Sequence, residues 1–255
     1  MRRSLTKAGF VVSAIALVAA ASAYAITFEI DKTVISATAD VAPRELPSKG
    51  NAPVEVSSIT RVKTADGSHP PALRELVFLL DKNGVLDTKG LAVCPAAKLA
   101  DTTPAAARKR CAGAIVGEGN ARAEVTLPGK ATVEVSSPLT LFNAPRIGGK
   151  PALIAHAYET VPVARTVLIP FPIERVSHGR YGYQAKIQVP AIAEGFGAAT
   201  LAEATIGRTW KRGGKTVGYT SAHCNGGRIQ VYGTASFSDG SFFPVVLTSP
   251  CHSPG

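Results

Sequence analysis

The sequence predicts an all-β protein, a β-sandwich of about a dozen short antiparallel strands with one short helix. Short stretches of alternating or continuous apolar residues recur along the chain. Turn-forming residues (glycine, proline, asparagine or aspartate) separate these stretches about every 8–12 residues. Strands in β-sandwiches and β-barrels follow one another at this spacing. One segment has the end signals of a helix. No internal repeat and no long linker divides the chain, so we expect a single domain.

The strand-forming stretches follow one another along most of the chain. Pro162, Pro170 and Pro172 interrupt the run 161–176. Because proline cannot donate a hydrogen bond to the ladder, we expect this run at a sheet edge or a bulge. The expected strands are 26–30, 33–39, 54–62, 76–80, 121–127, 131–136, 152–158, 161–176, 181–189, 200–210, 215–222, 228–237 and 241–247. Residues 112–119 and 139–142 continue the extended pattern, and a further apolar run passes through Leu86, Leu91 and Val93.

The expected helix lies within residues 104–110. Thr103 suits the N-cap, and Pro104 suits the first helical position. Alanines follow, and the run Arg108-Lys109-Arg110 lies at the C-terminal end, where cations stabilise the helix dipole.

Residues 1–25 have the three parts of a signal peptide. A basic start precedes an uncharged apolar run at residues 9–21, and Ala23-Tyr24-Ala25 fits the small-x-small rule for cleavage. A membrane anchor is the alternative, but the run is shorter than the span of about 20 residues that a bilayer requires. We therefore expect a secreted protein, extracellular or in the cell wall. Its mature chain, residues 26–255, is expected to be one β-sandwich domain without a transmembrane helix.

The chain is basic, with a formal net charge of +10. Loss of residues 1–25, which contain Arg2, Arg3 and Lys7, leaves 230 residues (255 minus 25) and lowers this charge by three, to +7. A basic exported protein can associate with an anionic cell-wall polymer or a membrane surface. Export argues against nucleic acid as the partner. The basic residues are dispersed along the sequence, however, and solubility alone also explains such a charge.

Four cysteines in an exported chain are expected to form two disulfides. Proximity in sequence favours Cys94–Cys111 and Cys224–Cys251 among the three possible pairings. A plain meander of three strands between residues 216 and 249 would separate Cys224 from Cys251 by about 9.5 Å, beyond the limit of about 7 Å between Cα atoms. The second disulfide therefore requires that both cysteines lie past the strand ends, or that the strands belong to different sheets.

A zinc site is the alternative role for the second pair of cysteines, because each has a histidine beside it. Adjacent residues of a strand point to opposite faces and rarely share one metal ion, so we favour the disulfide. If the disulfide forms, the two histidines could approach each other and titrate as a pair. The four residues are His223, Cys224, Cys251 and His252.

A tight turn is expected at Asn83-Gly84, because this dipeptide is typical of β-hairpins. Asp81, Asn83 and Asp87 could also surround Ca²⁺ at this turn. They lack the twelve-residue EF-hand spacing and its terminal glutamate, so we favour the plain hairpin turn.

The chain after residue 25 contains no nucleophile elbow, serine–lysine pair, HExxH motif or phosphate-binding loop. We therefore expect no catalytic residue, no metal and no cofactor. The alternative is a cell-wall glycan hydrolase, which needs two facing carboxylates. Glu159 and Glu174 lie on neighbouring expected strands and could form such a pair, but exposed glutamates are common.

Basic residues gather at one expected hairpin around the only tryptophan. An aromatic ring among cations at a loop tip suits contact with an anionic sugar polymer or a lipid headgroup. The alternative is that Trp210 faces the core while its neighbours are solvated, since tryptophan is usually well buried. The possible contact residues are Arg208, Trp210, Lys211, Arg212 and Lys215.

Four short motifs stand out in the chain. They are L-D-K-N-G-x-L-D-T-K-G-L-x-V-C-P at residues 80–95, C-x-x-A-x-V-G-x-G at residues 111–119, Leu141-Phe142-Asn143, and Gly218-Tyr219 before Cys224. Together they resemble a group of uncharacterised exported proteins of high-GC Gram-positive bacteria. The resemblance spans most of the mature chain and implies export and disulfide bonds. It implies no activity, fold or site.

These observations predict an exported cell-envelope or extracellular protein that binds a partner or supports structure without catalysis. The glycan hydrolase is one alternative. A carrier of lipid or another small ligand is another, and it would need a cavity between the sheets.

Overall fold

The structure is a computed structural model that describes residues 26–254. The expected signal peptide lies outside the described residues. Strands make up 61% of the structure and helices 7%, with one helix of seven residues or more. These proportions confirm the all-β class with antiparallel strands and one short helix.

The described residues form 17 strands and two α-helices, with 3-10 turns at Ala112–Ala114 and Ala193–Gly195. In chain order these are β1 (Ile26–Ile30), β2 (Thr33–Ala42), β3 (Ala52–Pro53), β4 (Glu55–Thr64), β5 (Leu73–Asp81), β6 (Gly84–Leu86), α1 (Ala96–Leu99), α2 (Pro104–Arg110), β7 (Ile115–Val125), β8 (Val133–Ile147), β9 (Lys150–Glu159), β10 (Arg165–His178), β11 (Tyr181–Gln188), β12 (Gly197–Ile206), β13 (Thr209–Arg212), β14 (Lys215–Gly218), β15 (Thr220–Ala222), β16 (Arg228–Phe237) and β17 (Phe242–Pro250).

Twelve of these strands form one antiparallel sheet, in the order β1-β2-β4-β12-β7-β8-β9-β10-β11-β5-β16-β17. The sheet curls until β17 lies beside β1 and β2. Side chains join its two edges: Ser249 Oγ accepts a hydrogen bond from Val41 N at 3.0 Å and donates one to Asp40 Oδ1 at 2.8 Å. The two layers of the expected sandwich are therefore opposite halves of a single, nearly closed sheet.

Apolar side chains from both halves fill the interior of this sheet. Phe171 and Tyr219 belong to the cluster at one end, and Val62 and Phe237 belong to the cluster at the other. An apolar cavity of about 20 Å³ lies beside the second cluster. A cavity of that size holds about one water molecule, so it has no room for the chain of a lipid.

Strand β10 shows how the prolines shape the sheet. Its first part, which contains Pro170 and Pro172, pairs with β9 alone. Pairing with β11 begins at Ile173, after the second proline. The prolines therefore lie along a local edge, as expected from their missing backbone donor, and they separate β10 from β11 over this half of the strand.

The turn at Asn83-Gly84 is not the expected hairpin. Strand β5 pairs with β11 and β16, whereas β6 pairs with β15 in a separate three-stranded sheet. Neither Asn83 nor Gly84 has a positive φ. The buried carboxylate of Asp81 determines this turn instead, because it accepts hydrogen bonds from Asn83 N and Gln230 N, each at 3.0 Å. Local turn propensity gives way here to contacts with distant strands.

The second disulfide closes one end of the sheet. Cys224 follows β15 and Cys251 follows β17, and their Cα atoms lie 5.8 Å apart. Strand β15 belongs to the small sheet β3-β15-β6, while β17 belongs to the large one. The structure therefore meets both of the conditions that would permit this disulfide: the cysteines lie past the strand ends, and the strands belong to different sheets.

Candidate functional site

The segment from Cys94 to Ala114 forms a helical cap on the outer surface of the sheet. The Cys94–Cys111 disulfide, with a Cα–Cα distance of 5.8 Å, joins the start of the segment to the end of α2. Leu99 and Ala107 are fully buried and belong to one core cluster with Phe142 of β8 and Ile154 of β9. The disulfide and this apolar contact together fix the cap on strands β8 and β9.

Helix α2 begins and ends as the sequence predicts. The Thr103 side chain accepts a hydrogen bond from Ala106 N at 3.4 Å, and Pro104 occupies the first position. The last turn contains Arg108, Lys109 and Arg110, which are all exposed. The helix therefore places three cations at one end of the cap.

His156 lies fully buried beneath the cap. Its Nε2 lies 3.1 Å from both the carbonyl oxygen and Oγ1 of Thr102, and Thr102 Oγ1 donates its own proton to Leu99 O. Nε2 must therefore carry the ring proton and donate to Thr102, while Nδ1 is buried without a partner among the described residues. Burial lowers the pKa of His156 below its ordinary value of 6.5.

Stability should therefore fall as the solution becomes acidic. Below about pH 6.5 the unfolded chain binds a proton at His156 that the folded protein resists, so acid favours unfolding. We expect the thermal midpoint to decrease between pH 7 and pH 5, and His156→Gln to reduce this dependence. His178→Gln, at an exposed histidine, is the matched control. An equal pH dependence in both variants would contradict the assignment.

The hairpin β13–β14 carries the tryptophan and most of the expected contact residues. Trp210 is half-buried and packs against the interior cluster that contains Tyr219, and its Nε1 is buried. The indole nitrogen therefore faces inward, while the residue stays partly exposed. Lys211 and Lys215 are exposed near the tip, where Lys211 Nζ donates to Thr216 Oγ1 at 2.7 Å.

Two arginines attach this hairpin to the rest of the molecule. Arg208 Nη1 donates to the carbonyl oxygens of Ala112 and Ile115, at 3.0 and 2.8 Å. Arg212 donates to Asp87 Oδ2 at 2.6 Å and to Lys89 O at 2.9 Å. The bond from Arg212 keeps the pKa of Asp87 below its usual range. Arg208 thus joins the hairpin to the end of the cap, and Arg212 joins it to the loop before the cap.

These links join the loop before the cap, the cap and the hairpin, and we call the cations of these three segments the basic face. Segments 87–118 and 208–215 contain nine cations and three acids, a net charge of +6 (nine minus three), against +10 for the whole chain. Most of the excess positive charge is therefore gathered here, although it is dispersed in the sequence. The cations are Lys89, Lys98, Arg108, Lys109, Arg110, Arg208, Lys211, Arg212 and Lys215.

Sequence reasoning identified the hairpin half of this face but missed the rest. In the sequence, Arg108, Lys109 and Arg110 indicate the C-terminal end of a helix, and neither Lys89 nor Lys98 indicates a role in binding. The run Arg108-Lys109-Arg110 was the available signal, but its neighbours in space lie about a hundred residues further along the chain.

The two carboxylates considered for Ca²⁺ have other partners. Asp81 is paired with Arg180 at 2.7 Å, and Asp87 is paired with Arg212. Within residues 26–254, no group of three or more His, Cys, Asp or Glu side chains is arranged to hold a metal ion.

The two glutamates considered as a catalytic pair do not face each other. Glu159 lies opposite Arg165 in the β9–β10 ladder and is bonded to it at 2.5 Å. Glu174 lies nine residues further along β10 and is bonded to Lys150 at 2.5 Å. Nine strand residues span about 30 Å, whereas paired carboxylates of glycosidases lie within about 10 Å of each other.

The two histidines beside the second disulfide also have separate partners. His223 Nδ1 lies 2.9 Å from Asn51 Oδ1, and His252 Nε2 lies 3.8 Å from a carboxylate oxygen of Glu45. Each ring therefore interacts with its own neighbour, and neither contacts the other.

Comparison with family models, curated proteins and solved structures finds no match to this chain. In the part of the chain that the structure describes, no helix is long and apolar enough to cross a membrane.

Proposed function

We propose that this protein is exported to the cell envelope and binds an anionic polymer through the basic face, without catalysing a reaction. The observation that carries the proposal is the concentration of charge. Two segments far apart in sequence, joined by the hydrogen bonds of Arg208 and Arg212, hold a net charge of +6. A dense positive surface raises the local concentration of a polyanion and speeds its association.

The disulfides support the compartment. Cys94–Cys111 and Cys224–Cys251 indicate an oxidising, non-cytoplasmic setting. The signal peptide expected at residues 1–25 supplies the route to it. A basic protein can associate with an anionic polymer or with an anionic membrane surface, and we propose the polymer.

Binding should weaken steeply with salt, because a bound polyanion releases its counterions. We expect the double variant Lys211→Gln, Lys215→Gln to reduce the slope of log Kd against log salt by about two, roughly one for each lysine removed. The measurement is a salt titration of the mature protein, residues 26–255, against purified wall polymer.

Lys63→Gln with Lys130→Gln is the matched control, because both lysines are exposed, make no ion pair among the described residues and lie outside the basic face. The control should change the slope little. Binding that is insensitive to salt, or an equal loss in both double variants, would refute the proposed function.

A further inference from the structure

We propose that the basic face recognises the density of negative charge along a polymer rather than any particular anionic group. The inference rests on the proposed function and specifies the class of ligand: a linear polyanion, whether its charges are phosphates, sulfates or carboxylates. It follows from a division between the arginines and the lysines of the face.

The arginines are occupied within the protein. Arg208 and Arg212 hold the hairpin through the bonds described above. Arg108 Nη1 lies 2.5 Å from a carboxylate oxygen of Glu118, and Arg110 Nη1 donates to Lys98 O at 3.0 Å. Arginine provides selectivity for phosphate or carboxylate by presenting two nitrogens in a fixed fork. In these four residues at least one nitrogen of the terminal fork already has an internal partner, so a ligand would have to share or displace that bond to use the whole fork.

The lysines are the exposed charges that remain. None of them forms an ion pair within residues 26–254, and Lys211 has a single neutral hydrogen-bond partner. An ammonium group on a flexible stem is a hydrated point charge without a preferred anion geometry. These lysines are Lys89, Lys98, Lys109, Lys211 and Lys215, and all are exposed.

The basic face contains a single aromatic residue within segments 87–118 and 208–215. Recognition of a sugar ring commonly uses an exposed aromatic side chain, and the aromatic residue of this hairpin, Trp210, packs inward with its Nε1 buried. The groups that would read anion geometry or stack on a ring are engaged within the protein, and the exposed lysine charges are the basis for recognition that we infer.

The test compares three linear polymers of matched length and charge per length: inorganic polyphosphate, polyglutamate and dextran sulfate. We expect dissociation constants within about threefold of one another at a given salt concentration, and equal salt slopes. The variant Lys211→Gln, Lys215→Gln should lose the same factor of affinity for all three. The measurement uses the mature protein with both disulfides formed.

Two failures are distinguishable. If no polymer binds, or binding ignores salt, the proposed function fails. If one polymer binds more than tenfold more tightly than the others at matched charge, or if the lysine variant loses affinity for one polymer alone, the proposed function stands and the inference is overturned.

Discussion

Asp81→Ala should destabilise the protein by about 3 kcal/mol, the cost of removing one partner from a buried ion pair. The Asp81 side chain is 1% exposed and is bonded to Arg180 at 2.7 Å. It also accepts the backbone N–H groups of Asn83 and Gln230. Alanine would leave one charge and two backbone donors without their acceptor, and buried donors without partners are costly.

Urea unfolding of the wild type and the variant measures this loss as a shift in midpoint at constant slope. Asp87→Ala is the matched control, because its partner Arg212 is 39% exposed and Asp87 itself is 28% exposed. An exposed pair of this kind contributes at most about 1 kcal/mol. Equal losses of unfolding free energy in the two variants would contradict the prediction that burial makes the Asp81 ion pair the more stabilising one.

Replacement of both Cys94 and Cys111 by alanine should also cost about 3 kcal/mol. The disulfide joins residues 17 positions apart, and the entropy of closing a loop of that length in the unfolded chain has this magnitude. The cap should loosen as well, because α1 has four residues and α2 seven, too few to form stable helices without support.

Measurements of polymer binding distinguish loosening of the cap from a loss of stability of the whole protein. The cap contributes four cations to the basic face, so its release should reduce both affinity and salt slope. Removal of the Cys224–Cys251 disulfide, which joins residues 27 positions apart, should cost a similar free energy and leave the salt slope unchanged at temperatures where the protein stays folded. If both disulfide variants bind the polymer equally well, the cap does not contribute to binding.

Local patterns in the sequence predicted most of the secondary structure. The alternation of apolar residues located nearly every long strand, and Thr103-Pro104 located the start of α2. The expected neighbour pairings of the cysteines are the ones that the structure contains. These features depend on residues close together in the chain, and a single sequence reveals them.

Features set by distant residues could not be predicted in the same way. The Asn83-Gly84 turn takes its shape from Asp81, Arg180 and Gln230, which are brought together only by the sheet. Glu159 and Glu174 lie on neighbouring strands, as their order in the chain suggests, but the register of β9 and β10 places them far apart along the ladder. The basic face depends on contacts between residues 87–118 and 208–215. Local sequence patterns do not predict contacts between segments so far apart in the chain.

The closure of the sheet has a consequence for when the fold can be completed. Its first strands, β1 and β2, lie beside its last strand, β17. The backbone of His252 also exchanges hydrogen bonds with Leu46 and Arg44, each at 2.9 Å. Synthesis proceeds from the N-terminal side, so β1 and β2 have no neighbour on this side until β17 and His252 have been made. Contacts between such distant parts of a chain form slowly, and a chain that folds late suits passage across a membrane in an extended state, as the proposed export requires.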